Sequence, residues 1–314
     1  MEYFNGGIRR VQSVHDRIGG FVRAHRVPVI GMVLIAMIGV LLCVRTLLPH
    51  SATLTMIDVG QGDALVLRTA HGQTILIDAG NDPGYVQKLG KILGPWDHTI
   101  DLLVLTHPHE DHVSGFVDLI DRWNIRKVLW TGLEYPAPAY QAFRAWVQSL
   151  PPQTLQVARQ GQRIMIDGGW LDVLWPLESL NGVSASADGA EGSGGVNDTS
   201  IVIEGHVDGK SLMLMGDVSS TVEHAILSRQ AVKPIDILKV GHHGSRFSTS
   251  EDWVKALRPS IALISVGVKN EFNHPAQSVI SRLREYGARV YQTPQDGTVS
   301  VEFLPNGLTV KTHQ

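Results

Sequence analysis

Cysteine is nearly missing from this 314-residue chain: Cys43 is the only one. That excludes an intrachain disulfide and any cysteine-built zinc site, and it leaves the redox compartment open. There is no excess of basic charge either, with 27 Lys and Arg against 30 Asp and Glu. Six of the basic residues (Arg9, Arg10, Arg17, Arg23, Arg26 and Arg45) fall in the first 50 positions, beside only Glu2 and Asp16. Residues 51–314 are left with 21 basic and 28 acidic side chains, a net of −7, so bulk charge does not advertise a nucleic-acid binder. No self-similar period of about 20–50 residues is present, which excludes a solenoid.

Charge is most completely absent between Val27 and Val44, and the apolar stretch runs on to Leu48. Roughly 20 apolar residues cross a hydrocarbon core, so residues 27–49 are expected to form a transmembrane helix. Five arginines precede the run and Arg45 stands at its exit. That bias places residues 1–26 in the cytoplasm and residues 50–314 outside, in a single-pass protein of the cell membrane. No small-x-small cleavage site follows the run, which favours a retained anchor over a signal peptide.

From Thr53 onward the pattern is that of a folded domain. Strands are expected at 53–59, 64–69, 73–78, 101–106 and 128–130, then at 163–166, 171–175, 200–204, 211–215, 235–240, 261–265, 290–292 and 298–303. Helices are expected at 82–93, 115–123, 140–150, 221–228, 250–256 and 276–286. The Gly-, Ser- and Ala-rich segment Asn181–Val196 reads as a flexible loop. Strands open each half and helices follow, which predicts a mixed α/β (α+β) fold of two face-to-face sheets with helices outside, an αββα sandwich.

One run concentrates chemistry. His107-Pro108-His109-Glu110-Asp111-His112 follows the apolar strand Asp101–Thr106. In an extended loop His107 and His109 point the same way and can share one metal, while Asp111 and His112 reach a second. A hydroxide bridging two divalent cations is a hydrolytic nucleophile at neutral pH. Three further clusters also end predicted strands: Gly216-Asp217, Gly241-His242-His243-Gly244-Ser245, and Asn273-His274-Pro275. A carboxylate after a glycine can bridge two cations, and two histidines between glycines suit a ligand on a tight loop.

The order His-x-His-x-Asp-His, strand-end Asp, strand-end His resembles the metallo-β-lactamase superfamily. Finer blocks resemble the hydrolase domain of the ComEC family of competence proteins. They are Met56–Ala64, Leu76–Gly80, Leu103–His112, Asn197–Ser200, Leu214–Asp217, Leu238–Ser245, Ser265–Gly267 with Asn273–Pro275, and Gln295–Thr298. The similarity runs over residues 53–303 and implies the same αββα fold. It further implies that His107, His109, Asp111, His112, Asp217 and His243 ligate two divalent ions, Zn²⁺ or Mn²⁺. His242 is the alternative to His243, which sequence does not separate. Asn197-Asp198-Thr199-Ser200 stands where many superfamily enzymes carry a further ligand histidine, which would leave one metal weakly held. Asp78 is expected behind a ligand imidazole. Asp111, His242, Asn197 and His274 are the catalytic candidates, with Ser245 beside them.

The activity implied is cleavage of a DNA strand, single-stranded DNA being the expected substrate and a separate DNA-uptake channel the expected partner. The full competence protein has many membrane spans, whereas one span is evident here. Two other readings stand beside it. One is a small-molecule hydrolase acting on a lactone, a β-lactam or an envelope phosphoester; the acidic domain favours it. The other is a non-catalytic subunit of a membrane complex, against which the complete ligand run argues.

Overall fold

The structure is a computed structural model describing residues 30–40, 51–185 and 195–313. Two compact units divide at residue 50. In the first, residues 30–40 are helical and present Ile30, Met32, Val33, Leu34, Ile35, Met37, Ile38 and Val40 exposed. Among the described residues no helix is long and apolar enough to cross a membrane. The expected span 27–49 and the segment 1–26 lie largely or wholly outside the described residues, as does 186–194 of the Gly/Ser/Ala loop.

In the second unit, eight strands form one sheet in the order 307–313, 298–304, 53–56, 65–68, 74–77, 102–104, 128–130, 155–157. Seven strands form the other, in the order 289–292, 261–264, 237–239, 210–214, 202–207, 169–175, 163–166. Alternation decides which layer each residue enters. Ile75 and Ile77 point into the layer between the sheets while Leu76 points outward. Ile237 points inward and Leu238 outward. Because these strands are buried on both faces, their sequences are continuous apolar runs. Helices Tyr85–Leu93, Glu110–Leu119 and Pro138–Ser149 cover one outer face, and helices Ser220–Arg229, Glu251–Leu257 and Gln277–Glu285 cover the other. The sandwich is therefore αββα, as its sequence predicts.

Each sheet is antiparallel on one side and parallel on the other. Strand 74–77 runs parallel to 102–104, and 210–214, 237–239 and 261–264 are parallel to one another. Every candidate ligand follows the C-terminal end of one of these parallel strands, in the loop or in the first turn of the helix it opens. One expectation needs correction: the helix after the His-rich run begins at Glu110, not Gly115, and ends at Leu119. Asp111 and His112 thus lie in its first turn rather than in a loop. Acidic Glu110 and Asp111 suit that position because the helix N-terminus carries partial positive charge. Strands 155–157 and 307–313 were not expected from sequence.

Candidate metal centre

Three imidazoles are locked into one tautomer by what stands behind them. Thr106 Oγ1 donates its only hydrogen to Asp78 Oδ2 at 2.6 Å, so it accepts from His107 Nδ1 at 3.1 Å. His112 Nδ1 donates to Asp78 Oδ2 at 2.7 Å. His243 Nδ1 donates to the Ser265 carbonyl at 2.9 Å. Each ring in its neutral form is left with an Nε2 lone pair, and a rear partner of this kind is what orients a metal-binding imidazole. Asp78 also accepts from Thr106 N at 2.8 Å, so its carboxylate is committed to holding this corner together.

The lone pairs converge on acceptors. His112 Nε2 lies 3.3 Å from Asp217 Oδ2. His243 Nε2 lies 3.2 Å from Asp217 Oδ2 and 3.2 Å from Asp111 Oδ2. Neither Nε2 has a hydrogen-bond partner among the described residues, and neither does Asp217 Oδ1. His107 Nε2 stands 3.1 Å from His109 Nδ1. Lone pairs aimed at carboxylates in a buried pocket repel unless positive charge lies between them. A cation with bonds of about 2.0–2.1 Å separates tetrahedral ligands by roughly 3.3 Å, the spacing found here. Asp111, His112 and His243 form one group able to hold an ion, and His107, His112 and Asp217 form another. The two groups meet at His112, and Asp217 Oδ2 lies within 3.3 Å of both His112 Nε2 and His243 Nε2, a donor set that fits divalent cations.

The carboxylates draw positive charge to this place, and without an ion it is protons on His112 and His243 that supply it. Burial raises Asp217, but His243 and His112 outweigh it and hold the carboxyl well below the usual range. Burial likewise raises Asp111, and His112 and His243 bring it down. Burial opposes charge on His112 and His243, yet Asp217 with the other carboxylates lifts both well above an ordinary imidazole. His107 goes the other way, lowered first by burial and then by the neighbouring imidazoles. The pocket thus keeps Asp111 and Asp217 ionised and draws positive charge to the place where the ligand atoms meet, whereas burial raises Asp78 behind them.

Backbone strain separates the two adjacent histidines. His242 and His243 have φ of 46° and 52°, a left-handed pair costing on the order of 1–3 kcal/mol each. Their rings leave in different directions. His243 turns to Asp217, whereas His242 Nε2 accepts from Asn197 Nδ2 at 3.2 Å and sits 5.5 Å from the His274 ring. Asn197, His242 and His274 therefore form a second group beside the metal cluster. Burial, then His242 and His243, lowers His274 to about 4. Ser245 closes this turn, its N–H donating to the His242 carbonyl at 2.8 Å and its Oγ accepting from Phe247 N at 3.3 Å. Gly62 permits the close packing opposite, since a Cβ there would stand 2.0 Å from the Asp111 carbonyl oxygen.

Lys239 was not assigned to this centre from sequence, and Asp63 belongs to the Gly60-Gln61-Gly62 loop, whose sequence suits a support of the site mouth or a plain turn equally well. Lys239 is fully buried, ion-paired with Asp63, 3.4 Å from the Gly216 carbonyl and 3.9 Å from Asp217 Oδ1. Asp63 Oδ1 lies 3.4 Å from His243 Nδ1. Asp58, at the other end of the same loop, accepts from Gly60 N and has a turn role. The one signal for Lys239 was its charge at the end of the apolar strand Ile237–Lys239.

A model of the metallo-beta-lactamase superfamily matches residues 57–268, and the chain belongs to that superfamily. Within it, the chain is similar to competence proteins. It is 28% identical over 280 residues to ComE operon protein 3 of Bacillus subtilis, covering 84% of this chain and 34% of that one. It is 27% identical over 256 residues to Competence protein ComA of Neisseria gonorrhoeae, covering 80% and 32%. The chain spans about a third of the length of these relatives. Among solved structures, the diiron beta-hydroxylase CmlA from Streptomyces venezuelae superposes with a TM-score of 0.52 at 14% identity, over 81% of this chain and 55% of that one, a likeness of fold alone.

Proposed function

We propose that this protein is a metal-dependent phosphodiesterase that cuts DNA, single strands by preference, and that it works beside a separate DNA-uptake channel. The observation that carries the reading is the position of Asp217 Oδ2, 3.3 Å from His112 Nε2 and 3.2 Å from His243 Nε2, with no proton assigned to either nitrogen by the surrounding hydrogen bonds. The similarity to proteins named for competence supports the choice of DNA.

His107, His109, Asp111, His112, Asp217 and His243 would hold two divalent ions, Zn²⁺ or Mn²⁺. Bound there, such ions lower the pKa of a water molecule and neutralise charge on a phosphoryl group. Lys239 pairs with Asp63 and lies 3.9 Å from Asp217 Oδ1, while Asp111 faces His243 with no lysine or arginine beside it. Divalent ions would give such a pocket the sign that accepts a phosphodiester. Asp78, Thr106 and Ser265 keep the imidazoles oriented. Asn197, His242 and His274 lie on the adjoining side, where they would hold non-bridging oxygens, while the proton given up by the attacking water passes to the leaving oxygen as the P–O bond breaks. His274 is neutral at pH 7 and keeps an unpartnered Nε2 for such a contact.

The same reading places the protein at the cell membrane, anchored by residues 27–49, with residues 1–26 cytoplasmic and the hydrolase outside. The solvent-facing apolar side chains of residues 30–40 support it.

The full-length chain, assayed for bound metal and incubated with labelled single- and double-stranded DNA under Mn²⁺ or Zn²⁺, should cleave DNA. His109→Ala and Asp111→Ala should reduce turnover at least about a hundredfold. Full activity in both variants removes the metal cluster from the mechanism. Turnover of a chromogenic lactam or ester with none on DNA replaces this reading with the small-molecule hydrolase.

A further inference from the structure

Beside the catalytic group lies a loop that is apolar where it meets solvent. Val268 and Phe272 are 78% and 56% exposed, although the segment that carries them is braced. Asn270 Nδ2 donates to the carbonyls of Gly267 (3.0 Å) and His274 (2.8 Å), and Asn270 Oδ1 accepts from His274 N at 2.8 Å. Gly267 N in turn donates to Gln61 Oε1 at 3.2 Å. The brace fixes both ends of the loop and leaves its middle outward.

The Phe272 ring stacks on His274, with centroids 5.7 Å apart and planes at 26°. His274 stands 5.5 Å from His242, and His242 stands 6.2 Å from His243. A row of rings therefore leads from a candidate metal ligand to the surface and ends on an open aromatic face. Arg246, exposed on the neighbouring turn, is close enough to His274 to oppose its protonation, and Lys269 is exposed on the loop itself. An aromatic face with cationic side chains nearby, at the lip of a site for phosphodiesters, is the equipment that holds unpaired bases.

We propose that Phe272, backed by His274, is a stacking platform for a nucleobase flanking the scissile phosphate, and that it makes a single strand the preferred nucleic acid. The inference rests on the phosphodiesterase reading above. A single strand offers bare base faces, whereas in a duplex those faces are already stacked on their neighbours. Stacking is tolerant of sequence, so the platform selects strandedness and not base identity.

The test uses the full-length chain with Mn²⁺ and an oligothymidylate. Phe272→Ala should raise KM roughly tenfold, Phe272→Trp should keep it near wild type, and Phe272→Leu should behave like the alanine variant because it cannot stack. With abasic sites flanking the labelled phosphate, wild type should lose the same factor and Phe272→Ala should lose nothing further. A 5-iodouracil oligonucleotide should photocrosslink to Phe272, a readout independent of turnover. Wild-type KM in Phe272→Ala overturns the platform while leaving the phosphodiesterase reading intact. Wild-type KM in Phe272→Leu reassigns the loop to general apolar contact, such as a protein partner. No cleavage of DNA by the wild type sinks both readings together.

Discussion

Lys239 shows how much of the centre depends on one side chain. Its strand places Ile237 in the layer between the sheets, and the alternation puts Lys239 in the same phase, with its ammonium buried against Asp63 and behind Asp217. Burial would raise Asp63, but Lys239, followed by His243, holds it below its ordinary value. Removing one partner of a buried pair leaves the other charge uncompensated. Lys239→Met should therefore cost about 3–5 kcal/mol in denaturant unfolding, and Lys239→Met with Asp63→Leu should recover most of the loss. A single variant within about 1 kcal/mol of wild type would show that the pair holds nothing together. The contrast with the His-rich run explains what was legible. His107, His109, Asp111 and His112 are neighbours in sequence, so their chemistry was visible at once. Asp63 and Lys239 meet only because two sheets stack, and no local pattern joins them. His242 and His243 could not be separated for a related reason: the left-handed backbone that parts their rings leaves no mark in residue type beyond the flanking glycines.

Among the elements, those with strong periodicity were the easiest to place, and their ends the hardest. The strands that are apolar on both faces were recognised as runs. Strand Gly307–His313 was missed because it is an exposed edge, in which Lys311 and the threonines interrupt the pattern. The helix that carries Asp111 and His112 was placed five residues late because the metal-ligand run and the helix start overlap. Helix Tyr85–Leu93 makes its own testable statement. Asp82 Oδ1 accepts from Gly84 N at 2.8 Å, and Asp82 Oδ2 pairs with Lys88 at 2.6 Å. Burial raises this carboxyl, but Lys88 and the Gly84 N–H outweigh it, so the folded protein favours the ionised form. Its contribution is then present above the ordinary carboxylate value near 4 and is lost as pH falls through the lower folded value. Because the group is partly solvated, Asp82→Asn should cost only about 0.5 kcal/mol at pH 7 and nothing near pH ~2. An equal cost at both pH values, measured by urea unfolding, would show that the charge of Asp82 contributes nothing, since asparagine keeps the Oδ1 that accepts from Gly84 N.

For the molecule as a whole, the site and the sandwich are one energetic unit. The candidate ligands come from both sheets: His107 and His112 follow strand 102–104 of one, and Asp217 and His243 follow strands 210–214 and 237–239 of the other. An ion held between His112, Asp217 and His243 therefore ties the layers together at the end where the parallel strands stop. It binds the folded protein and not the unfolded chain, so it stabilises by mass action, about 4 kcal/mol when free metal is a thousand times Kd. Chelation should lower the melting temperature of wild type by several degrees, as expected for a domain of this size, with recovery on adding back Mn²⁺ or Zn²⁺. Asp217→Ala should melt lower at the start and respond little to chelator, since the carboxylate that faces both His112 and His243 is gone. His274→Ala, which leaves those ligands in place, should keep the full chelator response. A chelator shift of equal size in Asp217→Ala would mean that the stabilising ion binds elsewhere. In that case the convergence of imidazoles on Asp217 would be a feature of the protein matrix, balanced by protons on His112 and His243, and hydrolysis would need another source of activated water.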